Sequence, residues 1–174
     1  MSASAGVRGL LMLTGMAMGL AVHAGQLGDL AAAAPALKVQ PSDVGRAAAL
    51  AASDGRRLGA YVFAPAAAPE LGIAPAHGDW DWRTARELHL VVQNAMPWAL
   101  TLDIAVDSGA GQRLTARVAL PAGPVQTLVL PLAPTSPLDF GMQAGPPMPF
   151  TADGRRLLVA TTVEGTLDAA RVHA

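Results

Sequence analysis

The stretch Gly78-Asp-Trp-Asp-Trp-Arg-Thr-Ala-Arg-Glu-Leu-His-Leu-Val-Val-Gln-Asn94 decides the fold. A turn carrying two tryptophans runs into an alternating segment that stops at an asparagine. In Glu87–Gln93, Leu88, Leu90 and Val92 share one face, and Glu87, His89, Val91 and Gln93 share the other. Successive side chains of a strand point to opposite sides, so this alternation reads as a strand with one face on a core.

Three more segments repeat the pattern before residue 133. Leu102, Ile104 and Val106 alternate with Thr101, Asp103, Ala105 and Asp107. Leu114, Ala116, Val118 and Leu120 alternate with Arg113, Thr115 and Arg117. Leu128, Leu130 and Leu132 alternate with Thr127 and Val129. The connections Asn94–Pro97, Ser108–Gln112 and Pro121–Pro124 are short and rich in turn residues, which suits antiparallel neighbours. Strands at this spacing, with no helix-period segment of comparable strength, predict an all-β, antiparallel, jelly-roll-like β-sandwich of roughly eight strands.

Outward from this centre the contrast falls. Lys38–Gln40 opens a first strand, and the alanine-rich Asp43–Ala52 reads as a short helix ended by Ser53-Asp54-Gly55. Arg57–Phe63 reads as a strand, and Pro65 and Pro69 break the chain before Glu70–Ala74. Beyond Leu132, Ala133–Phe150 is a long Pro/Gly/Met loop, and Leu157–Val163 is a further strand.

The first 24 residues read as a leader outside the fold. Arg8 is the sole charge before Asp29, an apolar run follows from Gly9 to Val22, and Val22-His23-Ala24 places small residues where a signal peptidase cuts. The alternative, a membrane anchor, needs about 20 apolar residues, more than this run supplies. Export to the periplasm or the extracellular space, with cleavage near Ala24 and no membrane span afterwards, is the expectation. Residues 25–36 then form a flexible lead-in, and residues 37–174 the sandwich.

Without the leader the chain carries 11 basic and 13 acidic residues, a net charge of −2, and Lys38 is its one lysine. No basic cluster exists to attract nucleic acid or an anionic membrane surface. Cysteine is absent, which excludes disulfides and thiolate chemistry.

The residues carry little catalytic promise. Glycoside hydrolysis needs two facing carboxyl groups about 5–5.5 or 6.5–9.5 Å apart. The chain has three glutamates, Glu70, Glu87 and Glu164, and none has an acid or nucleophile context. Asp103 and Asp107 share a strand face, where solvated residues are the ordinary finding. Asp79 and Asp81 flank Trp80 in a turn: they are candidate calcium ligands, with capping of the turn by their side chains as the alternative. His23, His77, His89 and His173 lack zinc spacing.

The ordered set Gly78-Asp-Trp-Asp-Trp, Leu88–Asn94, Val106-Asp107, Leu120-Pro121-Ala122-Gly123, Thr127–Leu132, Phe140-Gly141-Met142, Gly145-Pro146-Pro147, and Leu167-Asp168 with Arg171-Val172 resembles the N-terminal sandwich of agarase-like glycoside hydrolases. The likeness covers about residues 70–174, and its strength lies in order and spacing. Ala95 stands where that pattern has Pro. In the family a further core strand, a linker and a catalytic (β/α)-barrel follow the Arg-Val element. Here the sequence ends at Ala174, so the sandwich is expected to lack its last strand, and the barrel glutamates have no counterpart.

The resemblance implies a non-catalytic, carbohydrate-binding-like accessory module that packs on a catalytic barrel and contacts a galactan polysaccharide. Such modules stack aromatic rings on sugar faces, which singles out Trp98 and Trp80 as contacts, while Trp82 is expected in the core. Edge packing is the competing role for Trp98. A free-standing periplasmic structural or protein-interaction sandwich is the second reading, with Leu157–Val163 and the chain's end offering an edge to a partner.

Overall fold

A computed structural model describes residues 9–14, 37–42, 44–51, 57–63, 70–140, 150 and 154–173. Its strands are β1 (Gly9–Thr14), β2 (Leu37–Ser42), β3 (Val44–Ala51), β4 (Arg57–Phe63), β5 (Glu70–Pro75), β6 (Glu87–Asn94), β7 (Leu100–Ser108), β8 (Gln112–Leu120), β9 (Gln126–Pro131), β10 (Arg156–Val159) and β11 (Val163–Gly165). The expected lead-in, residues 25–36, lies outside the described residues, as does most of the Pro/Gly/Met loop.

The strands form a six-stranded sheet in the order β10-β9-β6-β1-β4-β3, a three-stranded sheet β11-β8-β7, and a pair β2-β5. Every pairing is antiparallel except β10 with β9. The chain is therefore an all-β sandwich.

The alternations of the central third decide its register. Leu90 pairs with Leu128 between β6 and β9, and Leu102 with Val118 between β7 and β8. Leu88 and Val92 of β6, with Leu128 and Leu130 of β9, face Leu114, Val118 and Leu120 of β8 in one buried cluster, against which Leu71 and Ile73 of β5 also pack. Each fully buried Leu in that cluster contributes on the order of 1.5–3 kcal/mol relative to exposure. Strand β9 is buried on both faces, since Thr127 and Val129 are enclosed along with the leucines.

Two expectations need correction. Within the expected helix Asp43–Ala52, Val44–Ala51 is a strand: β3 pairs with β4 through Val44↔Phe63 to Ala51↔Arg57, with a register shift between Ala47 and Leu50. Alanine favours a helix in isolation by a few tenths of a kcal/mol per residue, less than a row of ladder hydrogen bonds supplies. Leu157–Val163 is two strands, not one. β10 extends the larger sheet and β11 the smaller, and the chain crosses between them at Ala160 and Thr161.

Gly9–Thr14, read in the sequence as part of a leader, forms an interior strand of the larger sheet, antiparallel to β4 on one side and β6 on the other. A run of Leu and Met meets the two requirements of an interior strand: ladder donors at each residue and no charge to bury.

Candidate functional site

The tryptophan turn and the last described segment meet at one end of the sandwich. Trp80 N–H donates to Val172 O at 2.9 Å, and Val172 N–H returns a bond to Trp80 O at 3.0 Å. Trp82 N–H donates to Ala169 O at 2.6 Å, and His173 N–H to Asp107 O at 2.8 Å. Val172, fully buried, also bridges Ser108 at the end of β7.

Asp168 organises the clasp. Its N–H donates to Ser108 Oγ at 2.9 Å, and its carboxylate accepts from Ala170 N–H at 3.1 Å and from Arg171 Nη2 at 2.9 Å. The Arg171 guanidinium, and next the Ala170 amide, hold the Asp168 carboxyl below the usual carboxylate range. Gly109 lies underneath: a Cβ there would fall 2.6 Å from Asp168 Oδ2 and 2.7 Å from Arg171 Nε. The Leu167-Asp168 and Arg171-Val172 pair is thus a clasp joining the tryptophan turn to β7. Sequence reading found the pair but not its partners, Ser108 and Gly109, which only the topology brings near.

Trp80 and Trp82 stack, with ring centroids 5.5 Å apart and planes 14° from parallel. Trp82 is buried, as expected, and Trp80 is half-buried. The Trp82 indole Nε1–H is enclosed without a hydrogen-bond partner among the described residues. The flanking aspartates are engaged by side chains. Asp81 accepts from Arg83 Nη2 at 2.6 Å and from the Arg83 backbone N–H at 3.1 Å, the turn-capping geometry. Arg83 holds the Asp81 carboxyl down at about 2, chiefly through the side-chain bonds. Asp79 Oδ1 lies 2.8 Å from His173 Nδ1. No group of three or more His, Cys, Asp or Glu side chains suited to a metal ion occurs among the described residues.

Trp98 stands elsewhere. It is 45 % exposed, on the turn that leads into β7. Asn94, enclosed at the end of β6, fixes that turn: its Nδ2 donates to Trp98 O at 2.7 Å and Leu120 O at 3.2 Å, and its Oδ1 accepts from Met96 N–H at 2.9 Å. Trp98 precedes the first residue of β7, whereas Trp80 joins through Val172 to its last. A strand of that length separates them by roughly 27 Å at about 3.4 Å per residue. The two candidate sugar contacts therefore stand at opposite ends of β7.

The carboxylates are also kept apart. Asp103 pairs with Arg117 and Asp107 with Arg113, each across the β7–β8 ladder. Four residues along one strand place these aspartates about 13 Å apart, wider than either hydrolytic geometry allows. Arg117 holds Asp103 below the usual carboxylate range. This face is a ladder of exposed ion pairs.

The fold and this geometry define a β-sandwich module in which Asp103 and Asp107 are each paired with an arginine. No protein-family model matches the chain, and no curated protein matches it significantly. Solved structures do. The chain is similar to an exo-beta-agarase, with a TM-score of 0.57, 16 % identity, and 78 % of this chain aligned to 19 % of that one. It is similar to the agarase AgWH50C, with a TM-score of 0.56, 15 % identity, and 78 % of this chain on 19 % of that one. For PfGH50B the TM-score is 0.56 and the identity 15 %, with 79 % of this chain on 19 % of that one. At such identity the likeness is one of fold, and this chain spans about a fifth of the length of each of these three chains. No helix among the described residues is long and apolar enough to cross a membrane.

Proposed function

We propose that the chain is a non-catalytic, carbohydrate-binding-like accessory module of an exported agarase-like glycoside hydrolase, made to pack on a catalytic barrel and to contact galactan polysaccharide. The observation that carries this reading is the match of most of the chain to 19 % of three agarase-related structures. Trp98 is the contact we assign, because it is the half-exposed indole and its turn is pinned by Asn94. Trp80 takes a packing role, stacked on Trp82 and bridged to Val172. The reading assigns no metal, since Asp81 is occupied by Arg83 and Asp79 by His173.

Electrophoresis through gels with and without agarose tests the binding half. The intact chain should be retarded by the polysaccharide, Trp98→Ala should lose most of that retardation, and Trp80→Ala should keep it. Equal mobility of the unmodified chain in both gels would sink the polysaccharide contact and leave the fold untouched.

A second reading, a free-standing periplasmic structural or protein-interaction domain, is favoured by the position of Gly9–Thr14 inside the larger sheet. It requires a dimer or a bound partner, which solution mass over a range of concentrations reveals.

A further inference from the structure

The strand at positions 9–14 pairs on both sides. Gly9↔Phe63 through Leu13↔Gly59 join it to β4, and Leu11↔Asn94 through Thr14↔Val91 join it to β6. The same residues lie inside the apolar run of the leader. The inference rests on that leader being removed near Ala24, a step independent of whether the module binds sugar.

Removal opens the middle of the larger sheet rather than its edge. Adjacent strands lie about 4.8 Å apart, so β4 and β6 would face each other across roughly 10 Å. That gap is one strand wide and is lined by the backbone N–H and C=O groups that β1 had satisfied. Unmade, such bonds are costly, because buried backbone groups are almost always paired. Val91 and Val92 of β6, both fully buried, sit on the rim of this gap.

We infer that the β4–β6 gap of the processed chain is a strand-acceptor site, and that its occupant is an extended, uncharged apolar segment of another polypeptide running antiparallel to both strands. The chemistry of the occupant follows from the register. The strand seated there is Gly-Leu-Leu-Met-Leu-Thr. The residues paired with it are Gly59, Ala60, Tyr61, Val62 and Phe63 on one side and Val91, Val92, Gln93 and Asn94 on the other, none of them charged. A charged incoming residue would find no partner of opposite sign. Among the described residues a second copy has nothing comparable to give. Its β2 to β11 are already paired, and the stretch Gly25–Ala36 is mostly alanine and glycine with an aspartate and a proline, poor strand material.

The test starts from the full chain expressed with its leader, isolated as the cell processes it, with its N-terminus read by mass. The probe is a labelled synthetic peptide spanning Gly9–Thr14, with solubilising lysines outside those six residues. Amide exchange is followed at residues 59–63 and 91–94. The expected result is saturable binding that slows exchange at both sets, with binding weakened at least about tenfold when the peptide carries Met12→Asp. If the processed chain is poorly folded alone, the peptide should restore protection at both strands; failure to restore it overturns the proposal. Protection of both sets without peptide, in a monomer that ignores the probe, overturns it by showing that β4 and β6 close on each other. A dimer that refuses the probe overturns it in favour of a second copy. Retention of Met1 in the isolated protein overturns the leader reading and the acceptor with it, while leaving the agarose-gel result unaffected.

Discussion

Val172 and Trp80 exchange both of their backbone hydrogen bonds, at 2.9 and 3.0 Å, across 92 residues of sequence. The same valine bridges Ser108, so one buried residue ties the turn before β6 to the end of β7. The stacked indoles of Trp80 and Trp82 depend on that tie for their geometry.

Replacing Val172 with proline removes the N–H that donates to Trp80 O and leaves the carbonyl of the half-buried Trp80 without that partner. The expected cost is about 1–3 kcal/mol. Parallel indoles 5.5 Å apart couple optically, so Val172→Pro should also diminish the tryptophan couplet in circular dichroism. A couplet of unchanged amplitude would show that the stack holds without the clasp.

Asn94→Ala tests how Trp98 is held. The amide satisfies Trp98 O, Leu120 O and Met96 N–H together. Asn94 is 1 % exposed, and its loss leaves the buried Leu120 O and the half-buried Trp98 O and Met96 N–H without this partner, at a cost of about 1–3 kcal/mol. Under the proposed function, agarose retardation should fall along with the melting temperature. Retardation kept in a destabilised variant would separate Trp98 from the polysaccharide contact.

Gly165→Ala addresses the β11–β8 edge. Gly165 sits at φ +98, and a Cβ there would meet the backbone carbonyl oxygen of Arg113 well inside contact distance. Backbone cannot rotate away as a side chain does, so strain and clash combine to about 2–4 kcal/mol. Gly154, at φ +79 with open space around its Cβ position, carries the strain alone. Gly154→Ala should therefore cost about 1–2 kcal/mol, and equal melting points for the two variants would refute the clash.

The central strands were legible because half-buried strands print their burial as a period of two. Leu114, Ala116, Val118 and Leu120 alternate in sequence and are the buried residues of β8. β3 was illegible for the opposite reason: Ala47 to Ala49 carry no polar contrast, and their strand state comes from pairing with β4. Gly9–Thr14 was read for its apolarity, which a leader and an interior strand share. The exposure of Trp98 was readable from its turn. Its distance from Trp80, and the meeting of Asp168 with Ser108 and Gly109, depend on which strands neighbour which, and no local pattern records that.

Acid should loosen the molecule through its paired carboxylates. Arg83 holds Asp81 at about 2 against an ordinary 3.8, and Asp103 and Asp168 are displaced the same way by Arg117 and Arg171. A carboxyl whose folded value is lowered contributes stability that is fully present above its unfolded value and lost as pH falls through the folded one. The window therefore runs from about pH 4 down to about pH 2. Urea midpoints should be flat between about pH 7 and 5 and fall below about pH 4. The fall should be modest and shrink in high salt, because these pairs are exposed and screened. Arg83→Gln should move the Asp81 titration, followed by carboxyl NMR, up toward its ordinary value and leave Asp103 where it is. An Asp81 titration that ignores the loss of Arg83 would show that the pair does not hold the turn in solution.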